Sequence, residues 1–247
     1  MRALRRDRRH LEKNGSESVM IILHVSCSPR GQASESYRIS QKIVGLLRKS
    51  TPTAIVVNRV IGGGALSHID ENYATALGAA QPSTEECQEG SLSQSEELIR
   101  ELESADFVVI GTPMHNFTVP SALKAWIDHV VRVRRTFNAT PEGKVGTLRD
   151  RPVFVAVSSG GRYSGERARQ PDFLTPYLKA ILATIGLHDL TFFSVEGTAA
   201  GPDAVAESRA RTDQALQKYF SGFCPRSGSG VLPSPSPASL PRASASV

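Results

Sequence analysis

The chain has 247 residues with 40% hydrophobic content, enough for one ordinary domain with a sizeable core plus tails. The net charge of +5 sits at the ends: the first twenty residues carry +3 and the stretch from 221 carries +2, so residues 21–220 are neutral and lack the basic footprint of a nucleic-acid binder. Cys27, Cys87 and Cys224 are odd in number, far apart and without C-x-x-C spacing; this argues against a disulfide framework or a zinc site and leads us to expect a reducing cytoplasm.

In chain order, the basic start MRALRRDRRH precedes a short apolar run with no small-residue cleavage site, so residues 1–19 read as a disordered basic extension rather than a secretory signal. The longest apolar run, Val19 to Val25, is far short of the about 20 residues that cross a bilayer, so no membrane association is expected. It reads as the first strand, from Met20. Further short apolar runs follow at Ala54 to Val57, Phe107 to Ile110, Val153 to Val157 and Leu190 to Val195, alternating with helical patterns. Ile39, Ile43, Leu46 and Leu47 give the first helix its buried stripe, and Leu98, Ile99 and Leu102 mark a second. Leu123, Trp126, Ile127, Val130 and Val131 mark a third. A fourth starts with Thr175 as N-cap and Pro176 at the first helical position and stops at Gly186, and a last one runs from about Pro202 to Phe220. The stretch from Gly62 to Ser93 is Gly- and Ser-rich with little periodicity, either a functional flap or a surface excursion. The Ser/Pro-rich segment 221–247 has little to bury and reads as a disordered tail.

Strands alternating with helices predict an α/β three-layer sandwich around a five-stranded parallel sheet, most simply in the flavodoxin-like order 2-1-3-4-5 over residues 20–220. In that order the ligand crevice lies between strands 1 and 3, and the loops after strands 1, 3 and 4 line one site.

Those three loops carry suitable chemistry. SCSPRGQASESYR, after the first strand, is hydroxyl-rich and opens a helix near Ser34; it suits a single phosphate, or is simply a capped helix start, and it lacks both G-K-[ST] and G-x-G-x-x-G. Glu35 opposes a phosphate unless its side chain points outward. After the third strand, TPMHNFTVP is too apolar for a mere linker, and Met114 and Phe117 are suited to cover a flat ring whose polar edge the backbone reads. His115 has no partner at triad-like or metal-like spacing, and no metal site is expected. After the fourth strand SSGGRYSG has paired glycines that admit close approach of a ligand.

Taken together these loops resemble those of the FMN-dependent NADH azoreductases and NAD(P)H quinone reductases of the flavodoxin-like superfamily. Ser28 and the triplet Ser34-Glu35-Ser36 match the family's phosphate serines. Pro113-Met114-His115-Asn116-Phe117 matches its P-M-Y-N-F loop on the isoalloxazine, and Ser158-Ser159-Gly160-Gly161 matches its S-R-G-G loop. Thr175-Pro176-Tyr177-Leu178 and Val195-Glu196-Gly197 match the downstream T-P-Y-L and A-E-G. His115 stands where the family has Tyr, and Ser159 where it has Arg. The resemblance implies FMN held by these residues, with no catalytic side chain of its own. NADH or NADPH would be the donor, and two electrons would pass by ping-pong exchange to a quinone or an aromatic azo compound. It also implies a homodimer, with Tyr163 and Phe173 as candidates for the wall offered to the second subunit. Arg132, Arg134, Arg135 and Arg162 are candidates for a 2′-phosphate. A flavodoxin-type electron carrier, an NAD(P)H-dependent FMN reductase that releases its flavin, and a scaffold that has lost flavin stay open as rivals. The neutral core speaks against the carrier, because carriers are usually acidic.

Overall fold

The structure, a computed structural model, describes residues 19–78 and 90–223. Nearly all of both expected extensions, together with Cys87 and Cys224, lies outside the described residues. The apolar runs form β1 (Ile21–Ser26), β2 (Ile55–Val60), β3 (Phe107–Pro113), β6 (Val153–Ser159) and β7 (Leu190–Glu196). All pair in parallel in the order β2-β1-β3-β6-β7, which is the expected 2-1-3-4-5. A small antiparallel hairpin, β4 (Phe137–Thr140) and β5 (Gly143–Gly146), stands apart from it. The helices are α1 (Glu35–Ser50), α2 (Glu71–Gly78), α3 (Gly90–Ser104), α4 (Ser121–Val130), α5 (Leu174–Thr184) and α6 (Pro202–Ser221).

The strands read as continuous apolar runs because helices cover both faces. Alternate residues feed opposite cores: Ile22, Val109, Phe154 and Ala156 pack with Ile39 and Ile43 of α1 and Leu216 of α6. Leu23, Val108, Ile110 and Val155 pack with α3, α4 and α5 through Leu98, Trp126 and Leu178. Phe223, beyond α6, sets its ring against Phe107 and Phe154 at centroid distances of 6.1 and 5.7 Å, so packing continues past the expected domain end at residue 220.

Two local expectations need correction and a third gains detail. The cap of α5 is not Thr175: the helix starts at Leu174, and Asp172 Oδ1 accepts from the amides of Leu174 and Thr175 at 3.0 and 2.9 Å. The Gly62–Ser93 stretch holds α2 and the start of α3, tied together by Asp70, which accepts from the amides of Tyr73 and Ser91. Tyr73 is fully buried and its hydroxyl donates to the carbonyl of Asp128. Finally, Arg132 and Arg135 are structural rather than available to a ligand. Arg132 is buried and donates to Ser95 Oγ and Glu96, while Arg135 pairs with Glu96 and Glu103. Burial pushes the Glu96 carboxyl up, but Arg135 and then Arg132 more than reverse this and hold it at about 2. Arg134 is exposed and donates to the carbonyl of Leu77.

His24 is buried in β1 beneath α1, its Nε2 2.9 Å from Ser40 Oγ and its Nδ1 3.1 Å from Asn58 Oδ1. Desolvation lowers its pKa below the ordinary 6.5, against the opposing hydrogen bond to Asn58. A depressed folded-state pKa means the unfolded chain binds more protons, so this stability is present above pH 6.5 and is lost as pH falls through the folded value. Thermal melts between pH 7.5 and about 5.5 should therefore show a falling transition temperature, and the His24→Gln variant should show a flatter slope over the same window.

Candidate functional site at the carboxyl edge of the sheet

The three loops singled out in the sequence come together at the carboxyl ends of β1, β3 and β6, where an open parallel sheet binds ligands. Gly111 of β3 brings α1 close to the sheet: a Cβ there would lie 2.7 Å from Ser40 Oγ and 3.1 Å from the carbonyl of Ser36. Gly62 does the same for the loop after β2, since a Cβ would stand 2.2 Å from the carbonyl oxygen of Ser28.

In the first loop Ser28, Ser34 and Ser36 are all buried. Ser34 caps α1, accepting from the Tyr37 amide at 3.2 Å and donating to the Gly31 carbonyl at 2.9 Å, and its Oγ lies 3.4 Å from Ser36 Oγ. Ser28 Oγ accepts from the Arg30 amide. The capped-helix reading is thus realised, yet the amides of Glu35 and Ser36 have no partner among the described residues, although Ser36 is fully buried. An orphan amide at a buried helix N-terminus is what an anionic ligand would satisfy. Glu35 does not obstruct this: its carboxylate pairs with Arg38 at 2.9 Å and with Arg209 of α6. The Arg209 hydrogen bond, opposed by partial burial and helped by Arg38, lowers its pKa.

The second loop makes a tight turn in which His115 and Thr118 exchange backbone hydrogen bonds of 3.0 Å, with Asn116 at φ 48° and Phe117 at φ 69°. A left-handed phenylalanine costs about 1–3 kcal/mol and persists only where the surrounding structure imposes it. The amides of Asn116 and Phe117 have no partner among the described residues, and both residues are exposed. His115 is exposed as well and lines a cavity of about 230 Å³ with Cys27, Ile61, Leu66 and Pro120, at the switch point between β1 and β3. Met114 is buried in the core, its Sδ accepting from Gln170 Nε2 at 3.2 Å, whereas Phe117 is exposed.

In the third loop the carbonyls of Ser159, Gly160 and Gly161 accept from Thr198, Ala199 and Gly197 at 3.0–3.2 Å. The amides of Gly160 and Gly161 have no partner among the described residues. A Cβ on Gly161 would collide with Gln170 Oε1 at 2.1 Å, whereas one on Gly160 would meet only Ala199, at 3.6 Å, an ordinary contact. The protein thus has no packing reason of its own for glycine at 160, but a ligand lying against the backbone would supply one. Ser158 is half-buried, and its carbonyl accepts from the Met114 amide. Ser159, by contrast, turns inward, accepting from Gln170 Nε2 at 3.0 Å, and reaches the site through its backbone alone.

Glu196, quoted in a motif but given no role from sequence, holds this loop. Its buried carboxylate accepts from the amides of Tyr163 and Ser164 and from the hydroxyls of Ser164 and Ser194, at 2.6–3.1 Å. Glu196→Ala should cost about 2–4 kcal/mol in stability and speed hydrogen exchange at the Tyr163 and Ser164 amides; unchanged exchange there would remove it from this role. Tyr163 is partly buried and packs on the core, and burial pushes its hydroxyl pKa up. Phe173 is 60% exposed, and its amide donates to the carbonyl of Phe117, which sets two exposed aromatic residues side by side.

Among the described residues no group of three potential metal ligands occurs, and no helix is long and apolar enough to cross a membrane. Residues 20–220 match the family model described as "Flavodoxin-like fold". The chain is 48% identical over 201 residues to FMN-dependent NADH:quinone oxidoreductase 4 of Pseudomonas fluorescens, covering 81% of this chain and 96% of that one. It is 49% identical over 193 residues to FMN-dependent NADH:quinone oxidoreductase 5 of Burkholderia lata, covering 78% and 93%. An azoreductase structure from Bacillus anthracis superposes with a TM-score of 0.72 over 83% of this chain and 100% of that chain at 22% identity, a likeness of fold. Fold, loops and these relatives agree: the chain belongs to the flavodoxin-like family of the FMN-dependent NADH:quinone oxidoreductases.

Proposed function

We propose that the protein is an FMN-dependent oxidoreductase that passes two electrons from NADH to quinones and aromatic azo compounds by ping-pong exchange at one site. The observation that carries the reading is the set of unpartnered backbone amides on three loops of one sheet edge: Glu35 and Ser36, Asn116 and Phe117, Gly160 and Gly161. The residues fit the cofactor. Ser28, Ser34 and Ser36 with the first pair of amides suit its phosphate, Glu35 contributing its backbone only. His115, Asn116 and Phe117 with Gly160 and Gly161 suit the ring, whereas Met114, Ser158 and Ser159 support the two loops from beneath.

FMN bound there supplies reversible two-electron chemistry, in which NADH becomes NAD⁺ and a quinone becomes the hydroquinone. The protein's part is orientation and electrostatics. Donor amides held by a stapled loop and a strained turn favour the negative charge that reduction adds, without reorganising. Exposed Phe117 and Phe173 offer an apolar rim that suits a second subunit of a homodimer. Initial rates with NADH varied at several fixed concentrations of a soluble benzoquinone test the exchange. Parallel double-reciprocal lines are expected, and intersecting lines would exclude alternation of donor and acceptor at one place.

A further inference from the structure

A second groove is larger than the switch-point cavity. It lies immediately behind the third loop, between Arg162–Arg167, the open edge of β7 and α6, with a volume of about 600 Å³. That is ample for a nucleotide, given that small-molecule sites span about 300–1,000 Å³. Its lining is unusual for an accidental crevice. Arg162, Arg167 and Arg211 rim it together with Glu166, and Ser194, Ser208 and Thr212 line it. The carboxylate at its base, Glu196, has its oxygens taken up by four protein donors, which offsets the repulsion it would offer an anion.

The guanidinium groups are loosely held, two of them in long ion pairs with one acid. Arg162 and Arg167 stand 3.6 Å from Glu207, an exposed side chain beyond hydrogen-bond reach, and Arg211 has no ion-pair partner among the described residues. Arginine forks in such long, solvent-exposed ion pairs can exchange Glu207 for the oxygens of a diphosphate. The groove also adjoins the flavin-facing backbone directly, because Arg162 follows Gly161 in the chain and packs over Gly197.

We propose that the groove between the Arg162–Arg167 loop and α6 seats the diphosphate-bearing adenosine half of the reduced nicotinamide donor, with Arg167 and Arg211 as phosphate ligands. The inference rests on the reading given under Proposed function. Glu207 is then a competitor for the same guanidinium groups, and its removal strengthens binding.

The test is titration of the full chain, saturated with FMN, with ADP, followed by calorimetry. Arg167→Ala with Arg211→Ala should weaken ADP binding about tenfold or more, and Glu207→Gln should tighten it about threefold. The second substitution is exposed and removes an anion, so a folding defect cannot account for a gain. In anaerobic flavin bleaching, the double variant should also lose at least tenfold of the parent's preference for NADH over reduced nicotinamide mononucleotide, which lacks the adenosine half. Absence of ADP binding to the parent protein, or affinities and donor preference indifferent to these substitutions, would overturn the proposal. If ADP binding follows the arginines while NADH fails to bleach the flavin, the groove stands and the oxidoreductase reading falls.

Discussion

Gly160→Val is expected to abolish FMN retention while moving the melting temperature of the flavin-free protein by less than about 3 °C. The backbone at 160 accepts a side chain: φ is not positive, and a Cβ would touch only Ala199 at an ordinary 3.6 Å. What the side chain would fill is the space in front of the free Gly160 and Gly161 amides. Gly62→Ala provides the contrast. There a Cβ would collide with the backbone carbonyl of Ser28 at 2.2 Å, so the phosphate loop must shift and both stability and flavin binding should fall. Absorbance at the flavin bands after desalting, together with thermal melts of apoprotein, separates the two cases. A valine at 160 that leaves flavin bound would remove the third loop from the site.

Ser34→Ala with Ser36→Ala should weaken FMN affinity about a hundredfold or more, since a hydrogen bond to a charged group contributes about 1.5–3 kcal/mol and each 1.4 kcal/mol is about tenfold. Ser34 also caps α1, which by itself is worth about 1 kcal/mol of stability. Ser34→Asp isolates the ligand effect, because aspartate caps a helix equally well but sets a carboxylate against the phosphate. Its apoprotein should melt near the parent temperature and bind little FMN. Fluorescence titration of free FMN reads all the affinities, and parental values in the double variant would rule out a phosphate at this helix start.

The sheet was legible because its strands are buried on both faces and appear as uninterrupted β-branched runs. Their carboxyl ends were less so. Gly111, Thr112 and Pro113 look like a turn, yet they continue the ladder opposite Ala156, Val157 and Ser158. The hairpin β4–β5 and the short α2 have little periodic signal: α2 is anchored chiefly by Tyr73 and capped by Asp70 from outside it. The first residue of α5 was missed because the capping oxygen belongs to Asp172, which no Ser/Thr-Pro pattern points to.

At the site, backbone roles were readable from glycines and serines, but side-chain directions were not. Met114 and Ser159 sit in loops that face a ligand, and both turn inward to Gln170, a residue with no sequence signal of its own. The arginines expected to be available divided on the same ground, Arg132 and Arg135 being claimed by acids one helix away. Glu196 could have been found by asking what a buried carboxylate beside a glycine-rich loop must accept.

The central claim is that this edge holds FMN and lets NADH reduce it. The most direct test is the visible spectrum of the purified protein, supplemented with FMN, desalted, and then mixed with NADH under anaerobic conditions. The account predicts flavin bands that survive desalting and bleach in one two-electron step on NADH addition, returning when a quinone is supplied. Bands lost on desalting, or retained bands that NADH leaves untouched, would contradict it.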